Sequence, residues 1–405
     1  MSAEHQPTPP GVPAHAHRRS PSRIYTWLIS GVAAVAGFGL VYANTVIGQV
    51  DDALTTSDNW GLVSNPPTPT GSNAPTGSPD PADANAGNAL NILLMGSDAR
   101  DGKNGKIGGK VAEGMRNDTT LIMHISADRS RVDLVSIPRD ATVKTPTCKY
   151  FDGTTIKGST GDFNVAFSNG GRHGDPAEAA ACAINSVQNL TGLKIDHWAV
   201  VDFTGFEDMI NAVGGVPMCV PERIVSKKAK LDLDAGPQVL NGKEALGLAR
   251  MRTAEVGNVS GSDLQRIART HQLLRQLSRV ILSKNLLTDA GELTQFLKAT
   301  ASSLTMDTGL GSTKYMLGLA FSLRNIDPAA IRFYTVPWKL TDDYLDVIIL
   351  KSAKTMWAEL QADQPLTKVG NDSAGKAWDN VIDKSPAPLP TSSDVTESLL
   401  SECDI

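Results

Sequence analysis

Hydrophobic residues follow two patterns along the chain, one long uncharged run and a later series of short segments. The run extends from Ile24 to Val50 and, as a helix of 27 residues, would span about 40 Å, more than the roughly 30 Å hydrocarbon core of a bilayer. It is preceded by three arginines and followed by two aspartates: Arg18, Arg19, Arg23, Asp51 and Asp52. Because positive charge stays on the cytoplasmic side, the run predicts a single transmembrane helix with a cytoplasmic N-terminus. A cleaved signal peptide is the alternative, with Val41-Tyr42-Ala43 as its cleavage context.

The second pattern begins at Leu90, where short apolar runs alternate with amphipathic stretches. Strands are predicted at Leu90–Met95, Thr119–Ile125, Val132–Ile137, His197–Asp202 and Ile331–Val336. Helices are predicted at Pro176–Leu190, Phe203–Val213, Asn241–Ala249, Ser262–Leu282, Thr288–Leu304, Ser312–Leu323 and Asp342–Ala362. Such alternation is typical of a sheet covered by helices on both faces. The expected fold class is therefore α/β, a three-layer α/β/α sandwich with a central mixed sheet, preceded by one transmembrane helix.

Polar segments set the expected domain limits. Residues 1–23 lack apolar periodicity and indicate a disordered cytoplasmic tail, whereas residues 51–88 are rich in proline and indicate an extracytoplasmic linker. The folded domain is expected at 89–364, and the Pro-, Ser- and Asp-rich residues 365–405 at a C-terminal tail. With an anchor at 24–50, the expected location is the cell membrane, with the folded domain on the extracytoplasmic side.

Composition and charge narrow the function classes. The chain has 405 residues, 41% of them apolar, and a formal net charge of −5. Binding to duplex DNA normally requires a positive surface, so nucleic acid is not an expected partner. The four cysteines contain no C-x-x-C pair, which argues against a zinc site, and an even number outside the cytoplasm indicates two disulfides. Three connectivities are open, of which we favour Cys148–Cys182 with Cys219–Cys403.

Arginine and aspartate residues cluster where the predicted strands end. They are Asp98 and Arg100 after the first strand, Arg116 and Asp118 before the second, and Arg139 and Asp140 after the third. Ligands of α/β sheets collect at strand ends, so these loops are the expected site. Each of these charges, taken alone, is equally compatible with an ordinary surface loop.

The helix that starts at Ser262 carries charge on the face that must meet the core. At about 100° per residue, the side chains within about 60° of Asp263 are those of Arg266, Thr270, Leu274, Leu277 and Ile281. An inward ionic group needs a charged partner, because an unpaired buried charge is prohibitively costly. Asp263 and Arg266 could pair with each other at i,i+3, or both could face a ligand.

Arg250 and Arg252 favour a ligand. At i,i+2 they share a face only in an extended segment, and adjacent guanidinium groups repel unless an anion lies between them. Arginine forks match phosphate oxygens, and aspartates at strand ends can hold Mg²⁺ together with substrate phosphate. The combination predicts a diphosphate bound with a divalent metal, and phosphoryl transfer in which the leaving phosphate is stabilised by these charges.

Nine motifs, in this order, resemble those of the LytR-CpsA-Psr family over roughly Leu90 to Leu282, about half of the chain. They are Gly96–Arg100, Arg116–Thr119, Ser136–Asp140, Asn164–Phe167 before Gly170-Gly171, Asp202–Phe206, Val213–Val216, Leu240–Leu246, Arg250–Arg252 and Asp263–Arg269. One such motif is a weak signal, whereas nine in the right order are specific. The chain departs from the family pattern at Thr270, where glutamine is usual, and at Asp162, where lysine is common.

The resemblance implies an exported, membrane-anchored bacterial phosphotransferase. Such enzymes move a glycopolymer from a polyprenyl diphosphate carrier onto cell-wall peptidoglycan and release polyprenyl phosphate. By the same resemblance, Asp98 and Asp118 hold Mg²⁺ (or Mn²⁺), the catalytic group is Arg116, Arg139, Asp263 and Arg266, and substrate is bound by Arg250, Arg252, Arg100, Asp140 and Arg269. The lipid chain is expected in an apolar tunnel lined from Phe203–Val213 and Leu264–Leu282. Asp98 and Asp140 are equal candidates for the general base.

Two other functions stay open at the level of the sequence. One is hydrolysis of polyprenyl diphosphates, with water as the acceptor. The other is a non-enzymatic envelope scaffold that binds polyprenyl phosphate, in which Asp98 and Asp118 would be expendable.

Overall fold

The computed structural model describes residues 48, 50–67, 82–99, 104, 115–257, 259, 263–283, 289–301, 304–342 and 346–367. The predicted cytoplasmic tail, almost all of the predicted transmembrane run, and residues 368–405 of the predicted C-terminal tail lie outside this set. Within it, no helix combines the length and the apolar character needed to cross a bilayer. The contacts reported below all lie within one unit, Gln49–Ile405.

The described strands, in chain order, are β1 (Thr55–Ser57), β2 (Leu90–Ser97), β3 (Asn117–Ile125), β4 (Val132–Ile137), β5 (Thr142–Thr145), β6 (Cys148–Lys149), β7 (Thr155–Ile156), β8 (Ser159–Asp162), β9 (His197–Val201), β10 (Val216–Val220), β11 (Ile224–Ser226), β12 (Leu231–Leu233), β13 (Gly236–Leu240), β14 (Leu304–Asp307), β15 (Ile331–Thr335), β16 (Trp338–Leu340) and β17 (Val347–Ile349). The described α-helices are α1 (Asn164–Gly170), α2 (Pro176–Thr191), α3 (Phe203–Ala212), α4 (Gly242–Arg250), α5 (Asp263–Ser283), α6 (Ala290–Thr300), α7 (Thr313–Ser322) and α8 (Ala353–Gln361).

Seven of these strands form the central sheet, in the order β1-β14-β9-β2-β3-β4-β15. The pairs β1/β14, β2/β9 and β4/β15 are parallel, and the other neighbours are antiparallel. The predicted mixed sheet is therefore confirmed. The remaining strands pair as five short antiparallel ribbons: β5–β8, β6–β7, β10–β13, β11–β12 and β16–β17.

Alternating residues of β4 show how the sheet acquires two buried faces. Leu134 packs in one cluster with Ile92 and Phe333, whereas the next residue, Val135, packs in another with Ile122. Helices α1, α2 and α8 supply the apolar side chains on the Val135 face, and α5 and α7 supply those on the Leu134 face. Both faces are covered, which confirms the three-layer α/β/α arrangement. A further cluster joins α3, α4 and α5 to the ribbons β10–β13 and β11–β12.

Residues 51–88, predicted as a linker, are partly built into the folded domain. Strand β1 pairs with β14 at the edge of the sheet, and the Oδ1 of Asp51 accepts a hydrogen bond from the Thr313 amide at the start of α7 (2.7 Å). The side chain of Asn59 is fully buried, donating to the Ala177 carbonyl (2.7 Å) and accepting from the indole Nε1 of Trp198 (2.9 Å). Polar Thr-Thr-Ser gives no strand signal by itself, so β1 exists because β14 offers a partner.

Two predicted helices were wrong in their boundaries. The segment Thr288–Leu304 contains the shorter helix α6, and Leu304 begins strand β14. The segment Asp342–Ala362 contains strand β17 and then α8, because residues Val347–Ile349 pair with β16. In both cases the apolar period fits a helix, but strand pairing overrides it: β14 pairs with the distant β1 and β9, and β17 pairs with the nearby β16.

The disulfide between Cys148 and Cys182 is present and joins β6 to α2, as predicted. Cys219 is also disulfide-bonded. Because Cys403 lies outside the described residues, the pairing Cys219–Cys403 stays a prediction.

Candidate active site

Three guanidinium groups surround the carboxylate of Asp118 at one end of the central sheet. Its Oδ1 lies 2.6 Å from Nη1 of Arg139, 3.6 Å from Nη2 of Arg252 and 3.7 Å from Nη1 of Arg266. Nη2 of Arg266 also donates to the backbone carbonyl of Asp118 (2.9 Å). The three arginines come from the loop after β4, the segment after α4 and the first turns of α5. Residues far apart in sequence therefore converge on one carboxylate.

The electrostatics of this cluster keep Asp118 ionised. Its burial alone would raise the carboxyl pKa, but the nearby Arg266 and Arg139 charges, the hydrogen bond from Arg139 and the Arg252 charge lower the pKa below the usual value. A carboxylate with a lowered pKa carries full negative charge at neutral pH. The three arginines thus share one internal counter-charge.

Irregular pairing between β2 and β3 places Asp98 at the same end of the sheet. The register changes between Gly96 and Ser97, so that Gly96 opposes Thr119 while Ser97 opposes Asn117. Beyond this shift, the Asp98 amide donates to the Arg116 carbonyl (2.9 Å), and the Oδ1 of Asp98 accepts from the Arg116 amide (2.7 Å). A register shift of this kind, a β-bulge, changes the direction of the side chains next to it. Asp98 is buried, whereas the side chain of Arg116 is exposed.

The carboxylates of Asp98 and Asp118 at this end of the sheet are oxygen ligands of the kind that could hold a divalent cation together with a phosphate. All three ion pairs of Asp118 use Oδ1, which leaves Oδ2 as its oxygen for a cation, and Asp118 is about a third exposed. Mg²⁺ binds one or two carboxylates and completes its shell with water and substrate phosphate. Within the described ranges, no group of three or more His, Cys, Asp or Glu residues could hold a metal by itself.

Two further arginines lie around the segment that carries Arg252. Arg250 ends α4, and its guanidinium lies 4.1 Å from the centre of the Phe203 ring at the start of α3. Arg269, predicted to bind substrate, is almost fully buried, and it donates to the carbonyls of Leu248 (3.4 Å) and Met251 (2.5 Å). Burial and the charge of Arg266 lower the pKa of Arg269 to about 10. In this position Arg269 supports the segment that holds Arg252.

Carboxylates gather on the other side of Arg139. Its Nε lies 3.0 Å from Oδ1 of Asp140. The Asn164 amide donates to the Arg139 carbonyl, and the Val347 amide to the Asp140 carbonyl (both 3.0 Å). These two hydrogen bonds bring Asp162 and Asp346 close to Asp140. Burial, followed by the Asp140 and Asp346 charges, raises the pKa of Asp162.

Sequence reasoning missed the pair of Ser136 and His271, which joins β4 to α5. The Oγ of Ser136 lies 2.5 Å from Nε2 of His271, and burial together with the Arg275 charge lowers the pKa of His271 to about 3. Alternation along β4 was an available signal, because it places Ser136 on the same face as Val132 and Leu134. Ser136 lies three residues before Arg139, and His271 lies five residues after Arg266. Their contact therefore fixes the elements that carry both arginines.

Other predicted site residues fall partly or wholly outside the described set. Arg100 lies outside it, as does the side chain of Asp263, although the backbone of Asp263 begins α5. Along α5, the predicted inward face is confirmed at Arg266, Thr270 and Leu277, which are buried. Arg266 is paired with Asp118 across the sheet end.

The fold and this end of the sheet define a class: a three-layer α/β domain with an arginine-lined anion site. The chain belongs to the LytR_cpsA_psr family, whose sequence model matches residues 66–364. This finding confirms the family suggested by the motifs.

Individual relatives act in the construction of bacterial cell walls. The chain is 28% identical to the cell wall biosynthesis protein LcpA of Corynebacterium glutamicum over 324 residues, which are 73% of this chain and 61% of LcpA. It is 31% identical over 167 residues, 40% of this chain and 38% of the relative, to the polyisoprenyl-teichoic acid–peptidoglycan teichoic acid transferase TagV of Bacillus subtilis. The matches span less than two thirds of either relative.

Solved structures share the fold. The LytR-Csp2A-Psr enzyme from Actinomyces oris superposes with a TM-score of 0.52 at 19% identity, covering 76% of this chain and 95% of the other. Bacillus subtilis TagV superposes with a TM-score of 0.52 at 23% identity, covering 70% of this chain and 99% of the other.

Proposed function

We propose that the protein is an exported phosphotransferase that moves a glycopolymer from a polyprenyl diphosphate carrier onto cell-wall peptidoglycan. One observation carries the proposal: Arg139, Arg252 and Arg266 converge on Asp118 at the sheet end, where a diphosphate could replace part of their contact with the carboxylate. The similarity to TagV, a polyisoprenyl-teichoic acid–peptidoglycan teichoic acid transferase, supports the choice of polymer donor and wall acceptor.

In the proposed reaction, an acceptor hydroxyl of peptidoglycan attacks the phosphorus that bears the glycopolymer. A new P–O bond joins polymer and wall, and the bond to polyprenyl phosphate breaks. The three guanidinium groups hold the phosphate oxygens in place and stabilise the charge that develops on the leaving phosphate. The hydroxyl proton passes to a carboxylate, and Asp140 and Asp98 are equal candidates: Oδ1 of Asp140 is paired with Nε of Arg139, and Oδ1 of Asp98 accepts from the Arg116 amide.

A divalent cation, Mg²⁺ or Mn²⁺, would be held by Asp98 and Asp118. When bound, it would supply further charge stabilisation to the phosphate groups. Arg250 and Arg252 bind the carrier diphosphate in this proposal, together with Arg116 at the solvent-exposed rim. The polyprenyl chain would follow the apolar side chains of α3 and α5, where Phe206, Met209 and Leu274 are partly buried beside the core. Residues 24–50 would anchor the chain in the cell membrane.

The test measures transfer by the full chain from a synthetic polyprenyl diphosphate-linked glycan to solubilised peptidoglycan. Arg139→Ala removes the closest guanidinium from Asp118, and we expect transfer to fall at least about 100-fold. Arg139→Lys restores the charge without the planar fork and should recover only part of the activity. Arg223→Ala is the matched control, because Arg223 is an exposed arginine paired with Asp232 and Asp234.

The reaction products distinguish the proposed transfer from hydrolysis and from a non-enzymatic scaffold. The proposal requires polymer on peptidoglycan and one polyprenyl phosphate released for each polymer transferred. Release of polyprenyl phosphate at the same rate without acceptor would instead identify a hydrolase. Unchanged transfer by Arg139→Ala would overturn the proposal, as would a wild-type chain that retains polyprenyl phosphate and catalyses neither reaction.

A further inference from the structure

An aromatic side chain is held in solvent on the ribbon β6–β7. Phe151, at the turn of this ribbon, is 50% exposed and is the most exposed large hydrophobic side chain in the described part of the chain. Polar residues surround this turn: Asp152 follows Phe151, and Arg172 and His173, which follow α1, lie beside the preceding residue, Tyr150. The His173 ring lies 4.2 Å from the Tyr150 ring, centre to centre. We call Phe151, Asp152, Arg172 and His173 the ribbon patch.

The ribbon that carries Phe151 is fixed at several points. The Cys148–Cys182 disulfide ties it to α2, and the Tyr150 hydroxyl donates to the Asn169 carbonyl (2.5 Å). The Phe151 amide donates to the buried carboxylate of Glu178 (2.8 Å). The turn itself is closed by hydrogen bonds from Thr154 to Asp152. The backbone that carries the exposed ring is therefore preorganised, and a partner that binds the ring orders no part of this backbone.

The composition of the ribbon patch fits a sugar ring. A pyranose presents C–H groups on one face, and these meet the electron-rich face of an aromatic ring. Its hydroxyl groups lie around the edge, where a carboxylate accepts hydrogen bonds and guanidinium and imidazole groups donate them. Apolar contact together with a few placed polar groups is the usual make-up of a site for a small ligand.

The ribbon patch is connected to the candidate active site through α1. Tyr150 contacts Asn169 of α1, and α1 begins where the Asn164 amide donates to the Arg139 carbonyl. At the other end of α1, Gly171 lies so close to Met115 that an added Cβ would be 3.1 Å from the Met115 Cβ. Met115 is followed directly by Arg116. The surface from Phe151 to the arginines is therefore built by adjoining parts of the chain.

The position of the patch favours the acceptor over the donor. In phosphoryl transfer, the attacking and leaving oxygens are roughly in line, so the acceptor approaches from the side opposite the leaving group. In the proposed function, the polyprenyl chain follows α5 on one face of the sheet. The ribbon packs against α1 and α2, which cover the opposite face. A glycan that lies on the ribbon patch therefore enters from the acceptor side.

We propose that the ribbon patch is a subsite for a sugar unit of the acceptor, the glycan strand of peptidoglycan. This inference rests on the proposed function, and it adds a second contact at a distance from the hydroxyl that is phosphorylated. Phe151 supplies the stacking face, and Asp152, Arg172 and His173 bind the sugar hydroxyl groups.

The test compares acceptors of two lengths with the full chain. The probes are a peptidoglycan disaccharide and an uncross-linked strand of four or more disaccharides. For the long strand, we expect Phe151→Ala to raise the acceptor KM about 10-fold and to leave kcat and the donor KM unchanged, because one stacking contact is lost. Phe151→Trp should retain the wild-type KM. The proposal places the ribbon patch beyond the reach of a disaccharide bound at the arginines, so the KM for the disaccharide should not respond to Phe151→Ala.

A matched control and a binding measurement complete the test. Val239→Ala removes an exposed aliphatic side chain on β13, away from the ribbon, and should leave the KM values unchanged. In Phe151→Trp, the indole fluorescence should respond to the long strand in the absence of donor. An unchanged acceptor KM in Phe151→Ala would overturn the subsite, and so would a raised donor KM. Fluorescence binding by a chain that transfers nothing would instead support the subsite and contradict the proposed function.

Discussion

Asp118 is the residue on which the candidate site depends. Its carboxylate is the one acidic group in the described part of the chain with ion pairs to three arginines, and it comes from a strand end, where the backbone is fixed by the sheet. Each guanidinium repels the others at these distances unless an anion lies among them. The carboxylate therefore organises the site before substrate arrives.

Asp118→Asn should test this role. The amide keeps the shape of the side chain but removes the charge, so we expect transfer to fall at least about 100-fold, with a smaller effect on folding. Because the Asp118 pKa is already below its usual value, the wild-type carboxylate stays ionised as the pH falls from 8 to 5. Rates measured across that range should keep the same pH dependence in wild type and variant. A variant that loses activity only at acid pH would contradict this assignment.

At the scale of elements, helix α5 joins the two sides of the site. Arg266 in its first turns reaches Asp118, Arg269 supports the carbonyls at the end of α4, and His271 contacts Ser136 of β4. These contacts lie within six residues of one helix. The spacing between Arg139, in the loop after β4, and Arg266, on α5, is therefore fixed in part by the contact between Ser136 and His271, which do not touch the proposed substrate.

The burial of His271 predicts a pH-dependent stability. His271 has a pKa of about 3 in the folded state, below its usual value near 6.5. As the pH falls between these values, the unfolded chain binds a proton that the folded chain does not, so the fold loses up to about 1.4 kcal/mol per pH unit. His271→Gln removes this proton uptake. Between pH 7 and pH 5, the free energy of unfolding should therefore fall more for the wild type than for the variant. Urea unfolding at the two pH values measures this difference.

The measurement has an internal control. Ser136→Ala removes the hydroxyl and leaves the histidine, so this variant should keep the pH dependence of the wild type while losing stability at every pH. Parallel curves for wild type and His271→Gln would contradict the lowered pKa, because they would show that His271 binds its proton equally in the folded and unfolded chains.

Some elements could be predicted from sequence and others could not. Strand β4 matches its predicted limits, Val132–Ile137, because a continuous apolar run bounded by polar turns has few alternatives. Strands β1 and β14 were missed because their residues become strands only through pairing with each other and with β9. Local sequence carries no signal for a partner more than two hundred residues away.

The same distinction applies to the site. Arg139, Arg252 and Arg266 could be singled out as unusual charges near strand ends or on an inward helix face. Their convergence on Asp118 depends on the tertiary arrangement and could not be predicted from any one segment. Asp162 was noticed only as a departure from a family pattern, and its proximity to Asp140 follows from the register of β5 and β8.

At the scale of the whole molecule, the folded unit begins earlier in the chain than predicted. Asp51 already contacts α7, and residues 55–63 supply a strand and buried side chains to the core. In addition, Arg129 holds the segment before β2 through Asp83 (2.8 Å) and the carbonyls of Asn85 and Asn88. Expression of a domain starting near Asn88 would remove all of these contacts.

Asn59→Ala should measure what this segment contributes. The change leaves the Trp198 indole N–H without its buried acceptor, and we expect a loss of about 2–3 kcal/mol in free energy of unfolding. Tryptophan fluorescence during urea unfolding would report it. Asp58→Ala, at the exposed neighbouring position, should change the stability by less than about 0.5 kcal/mol. Equal effects of the two substitutions would show that the segment is not part of the cooperative unit.

The internal counter-charge at Asp118 has a consequence for selectivity. A bare cluster of arginines would attract every polyanion around it, from free phosphate to anionic polymers. With a covalently attached carboxylate among them, a passing anion must compete with a group that never diffuses away. Only a ligand that offers several charges at once, or brings a cation to occupy Asp118, gains by the exchange. A small anion that carries one or two charges and brings no cation gains little by this exchange, so common phosphate or sulfate should compete poorly with the donor.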